Sequence, residues 1–320
     1  MKLTPQEEEA RKHVCMPLDN IPHLRTRDEG RNEVSIESRV KELSPYVGLF
    51  KYGHESFTRF GTDGLKVIQD NGANVFLDFK FHDIPKTLRG AADAAAQKAL
   101  WMFNVHASGG REMMEWTAES VNHAAGKYGI QQPHVVGVTV LTSIGPAQYL
   151  DINRSLVPKL ASSELKEFYG MRTDDKIQQE KFAEMLISKS YKHLTTEGRR
   201  GLRCNVVEQQ VKNLAIMSYE SGLDGIVCSA ADLYAVREFL PEGFMYVTPG
   251  IKGPKTLAGS DQKRVFTPGN AYQDGSSILV IGRAITDPRT AEQKEQNTIL
   301  APEMRTQAAY EVLQDIAVYI

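Results

Sequence analysis

The chain is poor in the features that mark secreted, membrane-bound and nucleic-acid-binding proteins. Its three cysteines, Cys15, Cys204 and Cys228, are too few and too scattered to predict a disulfide framework or a metal site. No apolar run approaches the roughly 18 residues that span a bilayer, and residues 1–13 are polar where a secretory signal would be apolar. The 38 basic and 40 acidic residues nearly balance, so there is no general electrostatic attraction to nucleic acid or an anionic membrane. We therefore expect a cytoplasmic protein with neither of these as a partner.

The chain does contain a regular alternation of short apolar runs and amphipathic stretches. Continuous apolar runs are typical of parallel strands covered on both faces, and their alternation with helices predicts right-handed βαβ units. Helices are predicted at 91–100, 110–128 and 206–221, and Pro85 suits the first position of another helix. The predicted strands are 13–19, 47–52, 75–81, 102–106, 135–139, 225–228, 245–248 and 278–281. Eight such units predict an α/β fold, a (β/α)8 TIM barrel, as a single domain over residues 1–320.

Residues 151–203 interrupt this alternation after the fifth strand. The interval between the fifth and sixth strands is longer than one loop and one helix require. Ser and Thr residues that suit helix N-caps predict a helical insertion within the barrel. Loops that follow barrel strands emerge on the active-site face, so the insertion is either a solvated surface excursion or a lid or subunit contact.

Residues 75–87 carry the densest set of charged groups at a predicted strand end. Four apolar residues lead into Asp78, Lys80 and Asp83. Asp78 and Lys80 are two residues apart, so both point to the same face of the strand. If that face is the barrel interior, the two charges lie near its carboxyl-terminal rim, where active sites of this fold are built. Opposite charges inside a barrel are costly unless they are paired or functional, and the alternative is an ion pair that only fixes the strand register.

Other predicted strands also end in polar groups. Asp19 ends the first strand, Lys51 the second and His106 the fourth, and Thr142 lies just past the fifth. A histidine alone at such a position is more often a hydrogen-bonded supporting residue. Together these residues place polar and charged groups at successive positions of one rim, which a purely structural barrel does not need.

The last two strands predict a phosphate site. Gly250 precedes Lys252 after the seventh strand, and Gly282 precedes Arg283 after the eighth. Loops after these two strands frequently bind phosphate in TIM barrels. Arginine can hold a phosphate through two parallel hydrogen bonds.

Taken together, these motifs resemble those of orotidine 5'-monophosphate decarboxylases, the bacterial-type members in particular. The DFKFHDIP block is highly specific to this family. The glycine motifs are not specific by themselves, but they occur along the chain in the order that the family has. The matching segments are 18–19, 50–51, 78–85 (DFKFHDIP), 104–110 (NVHASGG), 141–143, 247–251, 261–264 and 280–286. They extend in order over residues 14–290 and leave out the insertion.

The resemblance implies a role for each matched residue. Lys80 would donate the proton, and Lys51, Asp78 and Asp83 would complete an alternating array of charges. Asp83 and Thr87 would reach the site of a neighbouring subunit, which makes the expected partners a nucleotide substrate and a second copy of the chain. The family needs neither metal nor organic cofactor. The substrate-binding residues would be Lys51 and Thr87, with Asp19 at the ribose, Thr142 at the pyrimidine, and Lys252, Gln262, Gly282 and Arg283 at the phosphate.

The resemblance has two departures. The family commonly has arginine where this chain has Lys252, and lysine is a point charge that cannot make a bidentate contact. The loop 253–260 is about one residue longer than the pattern, which affects the assignment of Gln262.

The expected function is cofactor-free decarboxylation of orotidine 5'-monophosphate to uridine 5'-monophosphate, and two alternatives stay open. One is a barrel relative such as a 3-keto-gulonate-6-phosphate decarboxylase, which shares an Asp-x-Lys-x-x-Asp pattern but uses magnesium. The other is a binding or assembly module that uses 151–203 as its surface, although such a module needs no array of charges.

Overall fold

Eight parallel strands pair in sequence order and close a barrel in the computed structural model of the chain. The last strand pairs with the first, where Val14 lies beside Leu279. The strands are β1 (Val14–Pro17), β2 (Leu49–Gly53), β3 (Asn74–Phe81), β4 (Met102–His106), β5 (His134–Val138), β6 (Gly225–Val227), β7 (Met245–Pro249) and β8 (Ile278–Val280). Each lies within two residues of its predicted bounds. The predicted TIM barrel is confirmed.

The structure describes most of the chain outside the region after β5. The described residues are 2–25, 34–145, 148, 149, 152, 153, 196–254, 266–296, 298 and 300–320, with the backbone alone for 196–206 and 291. They divide into two compact units, one of Met1–Thr139 with Leu214–Ile320 and one of Val140–Asn213. The first unit contains all eight strands. Residues 154–195 of the expected insertion lie outside the described residues.

The helices follow from recognisable start signals. Thr4 caps α1 and Ser35 caps α2, because each hydroxyl accepts a hydrogen bond from an amide three residues later. Pro85 is the first residue of α4, as predicted. The described helices are α1 (Pro5–Lys12), α2 (Ile36–Leu43), α3 (His54–Asp70), α4 (Pro85–Ala96), α5 (Arg111–Tyr128), α6 (Thr196–Glu220), α7 (Leu233–Val236), α8 (Pro268–Gln273), α9 (Arg283–Thr286), α10 (Ala291–Glu295) and α11 (Pro302–Ala317). In the part of the chain described, no helix has the length and apolarity to cross a membrane.

Helix α6 differs from its prediction at the amino-terminal end. The apolar spacing predicts a start at residue 206, but the helix begins at Thr196. Gly198 and Gly201 lower the intrinsic helix propensity of the first turns, so that part of the helix gives no signal in the sequence. The last eight residues assigned to the insertion, 196–203, therefore belong to α6.

The barrel interior holds one layer of apolar side chains beneath the carboxyl-terminal rim. Because side chains alternate along a strand, every second residue of each strand points inward. The layer consists of Cys15, Leu49, Phe76, Met102, Val136, Val247, Ile278 and Val280. These side chains are all buried, so the polar groups nearer the rim lie above an apolar core.

The last helix of the chain packs against its first two helices. Helix α11 packs against α1, α2 and α8. On its buried face, Arg305 binds Glu42 of α2 through Nε at 2.7 Å and a terminal nitrogen at 3.0 Å. Arg39 lies 3.5 Å from the same carboxylate. All three side chains are at least 85% buried, so the network fixes α11 against α2.

Candidate active site

Charged side chains occupy the inward positions directly above the apolar layer. Lys51 lies two residues beyond Leu49 on β2, and Asp78 lies two residues beyond Phe76 on β3. The alternation of the strand therefore places both side chains inside the barrel, one step closer to the rim. Lys80 follows at the next inward position of β3. Asp78 and Lys80 thus share one strand face, as their spacing predicts.

The charges form an alternating chain across β1, β2 and β3. Lys51 Nζ lies 3.3 Å from an oxygen of Asp19 and 3.2 Å from Oδ2 of Asp78. Lys80 Nζ donates to Oδ1 of Asp78 at 2.6 Å. The two carboxylates are thus bridged by Lys51, and Asp78 lies between two ammonium groups. We call Asp19, Lys51, Asp78 and Lys80 the rim quartet.

Burial and charge pairing act against each other in the quartet. Burial alone would raise the pKa of Asp78, but Lys51 and Lys80, with hydrogen bonds from Lys80 and Asn104, outweigh it and hold the pKa below its usual value. Burial likewise opposes the charge of Lys51, whereas Asp78 and Asp19 raise its pKa above the ordinary range. Both groups therefore carry full charge at neutral pH. The quartet is a preorganised set of charges rather than a proton-sharing pair.

Glycine makes room for this arrangement at the end of β2. A Cβ atom at Gly53 would lie 3.1 Å from Nζ of Lys51 and 3.5 Å from a carboxylate oxygen of Asp19. A larger residue would therefore press on the ammonium group where it bridges two carboxylates.

The backbone at Lys80 departs from regular strand geometry. Its φ is +47°, in the left-handed region that non-glycine residues seldom adopt. The pairing of β3 with β4 shifts register between Leu77 and Phe81. The amide of Lys80 donates instead to the side-chain oxygen of Asn104, at 2.7 Å. Unusual backbone geometry of this kind concentrates at functional sites.

Asp83 and Thr87 lie outside the rim quartet of their own chain. The Asp83 carboxylate is exposed and accepts a hydrogen bond from the amide of Ile84 at 2.7 Å. Thr87 is exposed on the first turn of α4, and the Ile84 side chain between them is 65% exposed. Within one chain, the fourth member of the alternating array is therefore Asp19 rather than Asp83.

His106 is the next inward residue of β4 after Asn104. Its ring lies 5.4 Å from that of His82, centre to centre. Burial, together with His82 and Lys80, lowers the pKa of His106, so the ring is neutral at neutral pH. This agrees with a supporting role for His106.

A cleft of about 850 Å³ connects the quartet to the loops after β7 and β8. Asp19 and Lys51 line it at one side, and Lys252, Gly282 and Arg283 line it elsewhere. Lys252 and Arg283 are both exposed, and Gly282 directly precedes α9. Three of the predicted phosphate-binding residues, Lys252, Gly282 and Arg283, therefore share one cavity with half of the quartet.

Two further cationic side chains, Arg289 and Lys294, line this cleft. The sequence motifs did not point to either of them. Arg289 binds Asp287 through two nitrogens, at 2.7 and 3.1 Å. Lys294 lies 3.5 Å from the same carboxylate. Both belong to the segment after α9. Their common partner Asp287 offsets part of their positive charge at this side of the cleft.

Comparison with known proteins places this site in a family. The profile described as Orotidine 5'-phosphate decarboxylase / HUMPS family matches residues 13–190 and 192–296, which include all four quartet residues and Arg283. The chain belongs to this family. It is 39% identical over 265 residues to the orotidine 5'-phosphate decarboxylase of Syntrophus aciditrophicus (strain SB), with 83% of this chain and 85% of that protein covered.

Further decarboxylases are similar in sequence and in fold. The orotidine 5'-phosphate decarboxylase of Moorella thermoacetica is 35% identical over 255 residues, covering 78% of this chain and 80% of that protein. The crystal structure of the orotidine 5'-phosphate decarboxylase from Lactobacillus acidophilus superposes with a TM-score of 0.57 at 26% identity, covering 95% and 98% of the two chains. The resemblance noted in the motifs is therefore confirmed at the level of the whole family.

Gln262 and Thr142 are also among the residues predicted for this family site. Gln262 falls in 255–265, outside the described residues. Thr142 is exposed in a turn of the Val140–Asn213 unit, where the amide of Ile144 donates to the carbonyl of Leu141. Their contacts with a nucleotide stay predictions. Among the described residues, no group of three or more His, Cys, Asp or Glu side chains has the arrangement to hold a metal ion.

Asn104 is the site residue that sequence reasoning missed. It appeared only as part of the NVHASGG segment, without a role. The available signal was its position, two residues beyond the buried Met102 and two before His106, on the inward face of a predicted strand. A polar side chain on that face needs a partner, and the adjoining strand offers Asp78.

Proposed function

We propose that this protein decarboxylates orotidine 5'-monophosphate to uridine 5'-monophosphate without metal or organic cofactor. The observation that carries the proposal is the Lys80 ammonium, held 2.6 Å from Asp78 in a rim quartet that borders a cleft lined by cations. The relatives named as orotidine 5'-phosphate decarboxylases support the same reaction. In this reaction the bond from C6 of the pyrimidine to its carboxyl group breaks, carbon dioxide leaves, and C6 takes a proton.

Lys80 suits the demand of the proton-transfer step. Loss of carbon dioxide leaves a carbanion in the plane of the ring, with no conjugated electron sink. A preorganised ammonium aimed at that carbon stabilises the charge as it develops and then supplies the proton. Because Asp78 holds Lys80, the ammonium needs no reorganisation when the charge appears.

Asp78 would contact the pyrimidine end of the nucleoside, and Asp19 would contact its ribose. The Asp78 carboxylate would lie beside the departing carboxylate, where repulsion disfavours the bound substrate relative to the transition state. Asp19 would accept hydrogen bonds from the ribose hydroxyls, with Lys51 joining the two carboxylates. Thr142 would contact the pyrimidine.

The cations of the loops after β7 and β8 suit the phosphate. Arg283, Lys252 and Gly282 line the cleft together with Asp19 and Lys51, and Gln262 would join them. Binding energy from a phosphate remote from C6 can organise the reacting groups. Because the phosphate contacts would help to organise the groups around C6, we expect them to affect kcat as well as substrate affinity.

We further propose that the protein acts as a cytoplasmic homodimer with shared active sites. Asp83 and Thr87 are exposed and flank Ile84, an apolar side chain that is 65% exposed. This combination favours a subunit contact through the β3–α4 segment. Asp83 of each chain would then extend the quartet of the other. The segment 151–195, without the residues that belong to α6, is proposed as an insertion within the barrel that adds to its surface.

The decisive experiment follows the loss of orotidine monophosphate absorbance with purified protein, in parallel with and without EDTA. We expect uridine monophosphate to form at the same rate in both conditions. No turnover of orotidine monophosphate, together with decarboxylation of a keto-sugar acid phosphate that EDTA abolishes and magnesium restores, would support the alternative, a sugar-phosphate barrel relative that holds an enediolate on magnesium. Binding of the nucleotide without any turnover would support a binding module.

A further inference from the structure

Asn104 lies at the centre of the proposed site and is fully buried. It belongs to β4, and its side chain points inward beside Asp78 on the neighbouring strand. Its amide makes two hydrogen bonds. Oδ1 accepts from the backbone amide of Lys80 at 2.7 Å, and Nδ2 donates to Oδ1 of Asp78 at 2.7 Å.

These contacts fix which way the amide group of Asn104 points. A backbone N–H can only donate, so the atom facing the amide of Lys80 must be the oxygen. The nitrogen therefore faces Asp78, where a carboxylate can only accept. Both ends of the amide are satisfied, and exchanging them would place two donors together at one end and two acceptors at the other.

Lys80 depends on Asn104 for its backbone conformation. At φ +47° its amide leaves the β3–β4 ladder, which shifts register between Leu77 and Phe81. A buried N–H that loses its ladder partner needs another acceptor. The side chain of Asn104 supplies that acceptor, so it takes the place of a ladder bond at the position from which the Lys80 side chain departs.

Asp78 depends on Asn104 for the orientation of its carboxylate. Its Oδ1 receives both Lys80 Nζ at 2.6 Å and Asn104 Nδ2 at 2.7 Å, while Oδ2 faces Lys51 at 3.2 Å. A carboxylate bound at both oxygens from three directions cannot turn about its terminal bond. Of the three groups that contact this carboxylate, Lys80, Lys51 and Asn104, only the Asn104 amide is uncharged.

We propose that Asn104 is a positioning residue for the decarboxylation, because one side-chain amide holds both the backbone of Lys80 and the carboxylate that pairs with its ammonium. The proposal rests on the proposed function. Asn104 does not itself transfer a proton. It fixes the direction from which the ammonium meets C6, and small errors in such geometry are costly for rate.

The test compares Asn104→Ala and Asn104→Asp with Val105→Ala. The alanine variant removes both hydrogen bonds. The aspartate variant keeps the shape and the acceptor for the Lys80 amide, but it replaces the neutral donor to Asp78 by a second carboxyl group, which repels the Asp78 carboxylate or shares a proton with it. Val105 is the next residue of β4, is fully buried and points to the opposite face. Its variant therefore reports the effect of a weakened strand alone.

Steady-state rates on orotidine monophosphate and the affinity for uridine monophosphate are measured for all three variants and the wild type. We expect kcat to fall by at least about tenfold for both Asn104 variants, since the alanine variant loses the hydrogen bond to the Asp78 carboxylate and the aspartate variant places a second carboxyl group against it. KM and product affinity should stay within about threefold, because the phosphate and ribose contacts remain. Val105→Ala should keep the wild-type kcat.

Three outcomes would overturn the proposal. They are a folded Asn104→Ala with kcat within threefold of wild type, a loss confined to KM, or an equal loss of kcat in Val105→Ala. If the alanine variant does not fold, the same criteria apply to Asn104→Asp, which keeps the volume of the side chain. Failure of the proposed function would look different, because the wild-type protein itself would then show no turnover.

Discussion

Replacing Lys80 by methionine separates chemistry from folding in this site. Lys80→Met keeps an unbranched side chain of similar length and removes only the ammonium that binds Asp78 at 2.6 Å. Loss of a hydrogen bond between charged groups costs about 1.5–3 kcal/mol of stability. The Asp78 carboxylate keeps Lys51 at 3.2 Å and Asn104 at 2.7 Å, so its charge is not left without partners.

The expected loss of activity is far larger than this destabilisation can explain. A domain of ordinary stability, at least about 5 kcal/mol, keeps about 2 kcal/mol in the variant, at which about 97% of the molecules stay folded. Loss of a positioned proton donor costs a factor of about 10² to 10⁴, or about 2.7–5.4 kcal/mol of activation free energy. Partial unfolding would therefore lower the measured activity by only about 3%, whereas loss of the proton donor should lower it at least about a hundredfold.

The assay is the initial rate of orotidine monophosphate loss at saturating substrate, with circular dichroism and product binding measured on the same preparation. Lys66→Met serves as the control, since Lys66 is exposed on α3 away from the cleft. We expect full activity in the control and at least a hundredfold loss in Lys80→Met. A folded Lys80→Met that kept a tenth of wild-type turnover would refute the assignment of Lys80 as proton donor.

Three further predictions concern the phosphate, the subunit contact and the last helix. Arg283→Ala should lower kcat/KM for orotidine monophosphate by about tenfold or more, and the deficit should largely vanish with a substrate that lacks the phosphate; an equal deficit with both substrates would contradict a phosphate contact. Mixing inactive Lys80→Ala with inactive Asp83→Ala should restore about a quarter of wild-type activity, because about half of the dimers are mixed and each holds one intact site; no recovery after verified subunit exchange would mean that Asp83 serves its own chain. Arg305→Ala should lower the free energy of unfolding, measured with denaturant, by about 3–5 kcal/mol, because it leaves the buried Glu42 carboxylate with Arg39 as its weaker partner. The kcat of the folded enzyme should stay unchanged. A loss of stability under about 1 kcal/mol would contradict this reasoning.

The strands of the barrel were predictable because they are buried on both faces. Such strands appear in the sequence as uninterrupted apolar runs, which is why all eight lie close to their predicted bounds. Helices that lie partly outside the core give weaker signals. The first turns of α6 contain Gly198 and Gly201, and no apolar periodicity compensates for them.

The charged residues of the site were predictable from strand alternation, whereas their supporting contacts were not. Spacing alone brings Asp78 and Lys80 to one face. The role of Asn104 depends on the register shift between β3 and β4, a property of two strands that neither segment contains by itself. Similarly, Met304 and Gln307 line the cleft because α11 packs beside the barrel, and nothing in their local sequence indicates this.

The pairing of β8 with β1 has a consequence for how the protein is made. The rim quartet lies within residues 19–80, yet Val14 finds its partner Leu279 only after residues 15–278 have been synthesised. Until then β1 is an open edge of the nascent sheet, and the inward apolar side chains beside it are exposed. Contacts between such distant parts of a chain form slowly. The period before β8 is synthesised is therefore the time when a chaperone would matter most, and we expect a chain that lacks β8 to aggregate rather than to be partly active.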